Sequence, residues 1–463
     1  MIYIDKSSAV PIYEQLYYSL TNAIHSGSFA PGSKLPATRY LSDELAISRN
    51  SVNRAYHQLE IEGYVYAKAG SGFIVNEIPS DGYNDEFTHI IHTLPAAPAL
   101  RYDFDYGNID NLTFPYKQWR KSVNRTLDSV ETCRSILYPD YMGEAALREE
   151  IARYLYRSRS VICNPEQVVI TCGHQHSVEI LANIFESSQK RCGMEDPGYD
   201  GIRSVFCNHH YQMHYIPVEN DGLDISETMS RPLDLLYVTP SHQFPTGAVL
   251  SISKRISLLE WAHNTGAYII EDDYDSELRY YTNPAPSLQS LDHNERVIYT
   301  GTFSKALSPA IRIAYIVLPH ALLPRYHEYY HLYGSQVSPL HQLALADFMA
   351  NGSFERNINR LRTLYRKKQD LLKTAMNEVF GDQITISGDG AGLHLLVNID
   401  TSTSPEILIE KAASCGIKLY SVKPYYANPS MAPKCQLQFG FPTIAMDDYR
   451  PVLMELKKFG NKL

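Results

Sequence analysis

No apolar run in the 463-residue sequence approaches the about eighteen consecutive residues that a membrane-spanning helix needs. The opening MIYIDKSSAVPIYEQL has no basic stretch followed by an apolar one, so no secretory leader is expected and the cytoplasm is the expected compartment. Seven cysteines (Cys133, Cys163, Cys172, Cys192, Cys207, Cys415, Cys435) are an odd number, and no two stand at zinc-finger spacing. Reduced thiols in a reducing compartment are the simplest account. His209, His210 and His214 in HHYQMH lack a carboxylate or thiolate companion, so no metal site is expected. A basic excess is missing too: residues 1–76 hold six Lys/Arg and six Asp/Glu, and the rest of the chain carries the whole net charge of −9. Within that neutral part, Lys34 to Arg54 sets four basic residues against Asp43 and Glu44, which is where any nucleic-acid contact is expected.

What is present is an ordinary globular composition, 44% hydrophobic and 20% charged, in a chain too long for one core. Two or three domains are expected. From Pro11 to Ser26, Ile12, Leu16, Leu20 and Ile24 recur every four residues and mark one helix face. SGSFAPGSKLP breaks that helix, and a second starts behind Thr38 as cap. Ser48 caps a third, RNSVNRAYHQLEIEG, with Val52, Ala55, Tyr56 and Leu59 inward and Gly63 as its stop. The strand pair YVYAKA and GFIV around Gly70, Ser71 and Gly72 completes a winged helix-turn-helix over 1–76. Opposite the apolar stripe lie Arg49, Asn50, Asn53 and Arg54, short polar and basic groups that suit phosphates and base edges and equally suit a solvated helix face.

Residues 77–100 break the periodicity with prolines and mixed polar residues and read as a connector, with room for a short ordered piece. Beyond it, VVIT, LLYVT, AYIIED, RVIYTGT and IAYIVL alternate with helical stretches such as HSVEILANIF and SISKRISLLEWAHNT. That alternation predicts an α/β unit over 101–463 with a mostly parallel sheet covered by helices, whose ligand sits at the carboxyl ends of the strands. Polar clusters follow those ends: Gly173, His174 and Gln175, where a glycine turn opens a helix; Asp272 and Tyr274; TPSHQFPTG with His242 and Gln243; Tyr199 in MEDPGYDGIR; and GTFSKALSPAIR with Thr302, Ser304, Lys305 and Arg312. An amine, a carboxylate, an aromatic lid and an anion cup are the inventory that pyridoxal phosphate asks for.

The run LPATRYLSDELAISRNSVNRAYHQLEIEGYVYAKAGSGFIV resembles the DNA-binding domain of GntR-type bacterial regulators. Residues 101–463, with EDPGY, TPSHQFPTG, EDDYDSEL, GTFSK and GAGLHLLV, resemble the fold type I aminotransferases, and the whole chain resembles the MocR/GabR transcription regulators. The resemblance implies DNA contact by Arg39, Ser48, Arg49, Asn50 and Asn53 and by Gly70, Ser71 and Gly72 of the wing. It implies a mostly parallel sheet with helices on both faces, a smaller C-terminal α/β subdomain, and pyridoxal 5′-phosphate in aldimine linkage to Lys305. Asp272 would partner the pyridine nitrogen, Tyr274 with Gln243 or His242 would approach the ring hydroxyl, and Tyr199 would stack on the ring. Thr302, Ser304, Arg312 and the Gly173–Gln175 turn would hold the phosphate. A homodimer with cofactor sites at its interface follows from the same resemblance, and paired DNA-binding heads suit a double-stranded operator.

The chain departs from the family at the effector end. Counting back six residues from Gly440 in APKCQLQFGF gives Lys434 where relatives that bind a carboxylate carry arginine, and Arg203 stands a little beyond the stacking tyrosine. Lysine offers a point charge rather than a planar fork, so Lys434 and Arg203 are the candidate effector contacts and gamma-aminobutyrate fits poorly. Three functions are open: a regulator sensing an amino compound by aldimine exchange at Lys305 without net turnover, a regulator of vitamin B6 metabolism sensing pyridoxal phosphate itself, and a working aminotransferase that carries a DNA-binding module.

Overall fold

A computed structural model of the chain describes residues 4–6, 8, 10–78, 100–129, 138–185, 190–281, 285–401 and 403–460. The chain forms two compact units that divide between Pro95 and Ala96. The expected connector lies, from residue 79 to 99, outside the described residues.

In the first unit, α1 (Ile12–His25) buries Leu16, Leu20 and Ile24 at the expected spacing, while Ile12 is only half-buried at its start. The helix α2 covers Thr38–Glu44; Ala37, not Thr38, is its cap residue and makes no side-chain cap bond. In α3 (Arg49–Ile61) the Ser48 hydroxyl accepts from the Ser51 amide at 3.1 Å, and Val52, Ala55, Tyr56 and Leu59 are buried. The strands β1 (Val65–Lys68) and β2 (Gly72–Val75) pair antiparallel as the wing. Residues 32–35 run along the other side of β2, with the Gly32 amide donating to the Val75 carbonyl (2.8 Å) and the Leu35 amide to that of Phe73 (2.9 Å).

The second unit begins with β3 (Tyr102–Asp103), then α4 (Tyr116–Asp128) and α5 (Ala145–Arg159). Its large sheet contains β4 (Val168–Thr171), β5 (Arg191–Asp196), β6 (Gln212–Glu219), β7 (Gly222–Leu223), β8 (Leu235–Val238), β9 (Tyr268–Asp273), β10 (Val297–Thr302) and β11 (Ala314–Val317), in the order β4-β11-β10-β9-β8-β5-β6-β7. Between β10 and β6 all neighbours are parallel; β11 lies antiparallel between β10 and β4, and β7 is antiparallel to β6. Alternation along a strand sends side chains to both helical layers. Val168 and Ile170 meet Leu147, Ile151 and Leu155 of α5, while Val169 meets Val178 and Leu181 of α6 (His174–Ile184). The strands β5 and β6 escaped the sequence reading because RCGMED mixes charge and glycine into a buried strand and QMHYIPVE is half polar.

A second, antiparallel sheet holds β12 (Ile384–Ser387), β13 (His394–Ile399), β15 (Tyr420–Ser421) and β16 (Gln436–Gly440), in the order β12-β13-β16-β15. One face of it, with Leu395, Val397, Leu437 and Phe439, joins the core made with the long helix Ser353–Phe380. The short β14 (Ile417–Lys418) pairs parallel with β3, and the Gly440 amide donates to the Phe104 carbonyl at 2.8 Å. These bonds carry the segment after β3 across the end of β16.

No helix among the described residues is long and apolar enough to cross a membrane. No metal-binding group of His, Cys, Asp and Glu occurs among them, and Cys163, Cys172, Cys192, Cys207, Cys415 and Cys435 are free thiols, Cys133 lying outside the described residues.

Candidate functional site

Parallel strands present their carboxyl ends on one edge, and ligands gather there. The ends of β4, β5, β8, β9 and β10 open onto a cavity of about 220 Å³ lined by His174, Gln175, Tyr199, Thr239, Asp272, Tyr274, Thr302, Ser304, Lys305 and Arg312. Tyr106, Gly107, Phe244 and Pro309 complete the wall. Nine of the expected cofactor residues are therefore together, brought from distant parts of the sequence by one sheet edge.

Asp272 closes β9 and is 4% exposed. Its Oδ2 accepts from the Tyr237 hydroxyl at 2.5 Å and lies 3.1 Å from His174 Nε2. Its Oδ1 is buried without a partner in a residue that lines the cavity, an acceptor left for a protonated ring nitrogen. Lys305 follows β10; its Nζ donates to the Tyr106 and Gly107 carbonyls, both at 3.1 Å, and rests 4.4 Å from the Tyr106 ring centre. Burial pushes its pKa down to about 8, against the pull of Asp105 and Asp275.

Between β4 and α6, Gly173 adopts φ +105°, a conformation that side-chain-bearing residues rarely hold. A Cβ there would lie 2.0 Å from an Arg312 guanidinium nitrogen, so glycine lets the arginine cover the start of α6. Arg312 Nη2 donates to the Cys172 carbonyl at 3.0 Å, and the Thr302 hydroxyl donates to Ser304 Oγ at 2.9 Å. Free amides at a helix start, one guanidinium and two hydroxyls make a cup for a phosphate dianion.

Three expected residues are not part of the lining: Gly173, which lies under Arg312, and His242 and Gln243. His242 is buried, with Nδ1 2.8 Å from Asp275 Oδ2 and 3.1 Å from the Tyr274 hydroxyl, so it touches the cavity wall only through Tyr274. Gln243 turns its amide to the Pro197 and Phe244 carbonyls at 2.8 and 2.6 Å and acts as a strut behind the wall.

Both effector candidates are corrected by their surroundings. Arg203 spends its guanidinium on backbone carbonyls, Nη1 on Tyr426 (3.0 Å) and Nη2 on Pro424 (3.1 Å), Tyr425 (2.6 Å) and Gly198 (3.4 Å). It clamps the 424–426 turn instead of facing the cavity. Lys434 is exposed beyond the far end of β16. Gly440 is the end of that strand that abuts Asp105 and Tyr106, and Lys434 lies in the turn before Gln436, at the other end of a strand about 13 Å long. Counting along the sequence located the strand but not the end that meets the site.

The sequence reading missed Tyr106 and Gly107, Phe244, and the Tyr237 hydroxyl under Asp272. Phe244 sits inside the quoted TPSHQFPTG motif, and its aromatic ring was the available signal. Tyr106 and Gly107 belong to a two-residue strand's continuation, too short for any periodicity.

Comparison with known proteins accords with this geometry. Residues 12–75 match the bacterial regulatory proteins of the gntR family, and residues 103–434 match the class I and II aminotransferases. The chain is 40% identical to the HTH-type transcriptional regulator YdeL of Bacillus subtilis (strain 168), over 98% of each chain. It belongs to the MocR/PdxR family of HTH-type transcription regulators. Other members include MocR of Rhizobium meliloti, 32% identical over 90% of this chain and 87% of that one. The pyridoxine biosynthesis regulator PdxR of Corynebacterium glutamicum is 30% identical over 96% and 94%. The aminotransferase fold of the second unit is shared with a kynurenine aminotransferase of Pyrococcus horikoshii (TM-score 0.70, 21% identity, 79% of this chain and 92% of that one). An archaeal alanine:glyoxylate aminotransferase aligns at TM-score 0.72 and 22% identity, over 79% and 91%. Family members of the GntR type bind DNA through the helix-turn-helix, and in this MocR/PdxR-family chain that module is the first unit.

Proposed function

We propose that this regulator works in the cytoplasm as a homodimer, binds an operator through its first unit, and carries pyridoxal phosphate on Lys305 as the receptor for an amino-compound effector. The observation that carries the reading is the unpartnered Asp272 Oδ1 in the same cavity as the Lys305 amine and the Gly173–Arg312 cup. Bound there, pyridoxal phosphate supplies an aldehyde that condenses with primary amines and a ring that withdraws electrons. Asp272 would hold the ring nitrogen's proton, with Tyr237 and His174 fixing the carboxylate. The α6 start, Thr302, Ser304 and Arg312 would hold the phosphate, and Tyr199 and Tyr274 would confine the ring. The Tyr106 and Gly107 carbonyls and the Tyr106 ring face would seat the Lys305 ammonium whenever it is not joined to the cofactor.

Apart from Lys305 and Arg312, the cavity wall has no Lys or Arg among the described residues, and Arg312 stands at the phosphate end. The effector is therefore selected mainly by its amine and by the aromatic wall of Tyr106, Tyr199, Phe244 and Tyr274. The absence of a second cation favours sensing over turnover of amino acids. The name of the PdxR relative supports a second reading, in which cofactor occupancy is itself the signal.

Borohydride trapping followed by peptide mapping tests the first step: the cofactor is expected on Lys305, and a label on another lysine overturns the assignment. Titrating the apoprotein with cofactor and then with amino acids, while following operator binding, separates the two signals. Sustained keto-acid release at about one turnover per second or more would overturn the sensing reading in favour of an aminotransferase.

A further inference from the structure

The wing has a charged outer face on which, of the individual expected DNA contacts, only Gly72 lies. Residues 32–35 run beside β2, where Lys34 makes an isolated bridge with Ile74, which pairs in turn with Tyr66. Cross-strand partners project to one side of a sheet, so Lys34, Ile74 and Tyr66 share a face. The next rung on that face is Lys68 opposite Gly72. The other face, with Val65 and Val75, packs into the core of the module.

Gly72 has no side chain, and the Lys34 stem lies across the gap. A Cβ at Gly72 would stand 3.2 Å from Lys34 Cε and 4.0 Å from its Nζ. The Lys34 ammonium thus reaches over Gly72 from one side, and Lys68 stands opposite Gly72 on β1. Both lysines are exposed, and neither has an ion-pair partner among the described residues. Glu60, the acid that reaches β1, accepts from the Ala67 amide instead. Lys6, by contrast, is spent on the Ala46 carbonyl at 2.8 Å.

We infer that Lys34 and Lys68 form a phosphate clamp astride Gly72, through which the wing grips the backbone of duplex DNA without reading its sequence. The inference rests on the first unit being a DNA-binding module and adds the wing's share of the affinity. Two unpaired cations in a module of zero net charge matter more than they would in a basic one, because few others compete for the same role. A flexible lysine suits a phosphate as a point charge, whereas base discrimination falls to the start of α3.

Phosphate contacts do not depend on sequence, so a random duplex of about 40 base pairs is a sufficient probe. The full-length chain, its Lys34→Gln and Lys68→Gln variants, the double variant, Lys34→Arg, and Lys121→Gln as a control outside the module would be titrated across a salt series. Each single Gln variant is expected to lower the magnitude of d log K/d log [salt] by about 0.9 for every bound head, about 1.8 for the dimer, and the double variant by twice that. Lys34→Arg is expected to keep the wild-type slope. Wild-type slopes in the Gln variants, or losses no greater than that of Lys121→Gln, overturn the clamp while leaving DNA binding intact. If the wild-type chain binds no duplex at low salt, the DNA-binding reading fails and the clamp with it. Unchanged thermal melting of the variants separates lost contacts from lost folding.

Discussion

Tyr237 and Asp272 stand on neighbouring parallel strands, β8 and β9, and the tyrosine hydroxyl donates to one carboxylate oxygen at 2.5 Å while the other oxygen stays free. The donor orients the acid and leaves it a single use. Asp272→Asn keeps the shape and removes the charge that would hold a ring proton. We expect cofactor affinity to fall ten- to a hundredfold, the loss of a charge-assisted hydrogen bond of about 1.5–3 kcal/mol. Fluorescence titration of the apoprotein with pyridoxal phosphate measures it; unchanged affinity would falsify the pairing.

Lys305 should titrate near pH 8 in the folded apoprotein instead of at the ordinary 10.5. Below about 8 both states hold the proton; between 8 and 10.5 the unfolded chain binds one that the folded chain does not. Stability therefore rises with pH across that window, by about 2 kcal/mol once partial solvent contact is allowed for. Urea denaturation of wild type and Lys305→Met at pH 7.5 and 9.5 reads it as a pH slope that the variant lacks. Cofactor attachment should speed up through the same window.

Directly below the site, Arg159 donates through Nε to Asp273 Oδ2 at 2.6 Å, and their side chains are 5% and 1% exposed. The Tyr299 hydroxyl donates to the same oxygen, and Arg159 Nη2 donates to Ser241 Oγ at 2.5 Å. Arg159→Met leaves a buried carboxylate without its cation. The second unit should lose about 3–5 kcal/mol, seen as a lower denaturant midpoint, whereas Asp273→Asn with Arg159→Met should recover part of it.

Lys434→Ala should change effector and cofactor affinity by less than about twofold, since an exposed charge beyond the far end of β16, outside the cavity lining, is screened by salt. Arg203→Ala should act differently: it unclamps the 424–426 turn and exposes carbonyls the guanidinium had satisfied. A lower melting temperature without selective loss of effector response is the expected result. Calorimetry with a binding titration separates the two outcomes.

These two residues also show where sequence reading stops. Helices α1 and α3, the wing and the five hydrophobic strands announced themselves because their burial is periodic or continuous. Motif residues at strand ends were legible because parallel strands deliver them to one edge. Arg203 and Lys434 were not, because their roles depend on which way a strand runs and on carbonyls of a distant turn. Nor was the Tyr106–Gly107 seat, whose contacts are peptide oxygens that every residue type possesses.

That last feature has a consequence for genetics. Two of the three contacts that hold the Lys305 ammonium are main-chain, so replacing Tyr106 removes only the ring and leaves both carbonyls in place. A scan of cavity side chains would pass over the seat. Its address is set from behind, at Gly440, where any Cβ would sit 2.4 Å from the Tyr106 amide nitrogen and push the whole segment aside. A residue with no side chain, on another sheet, thus governs where the lysine rests.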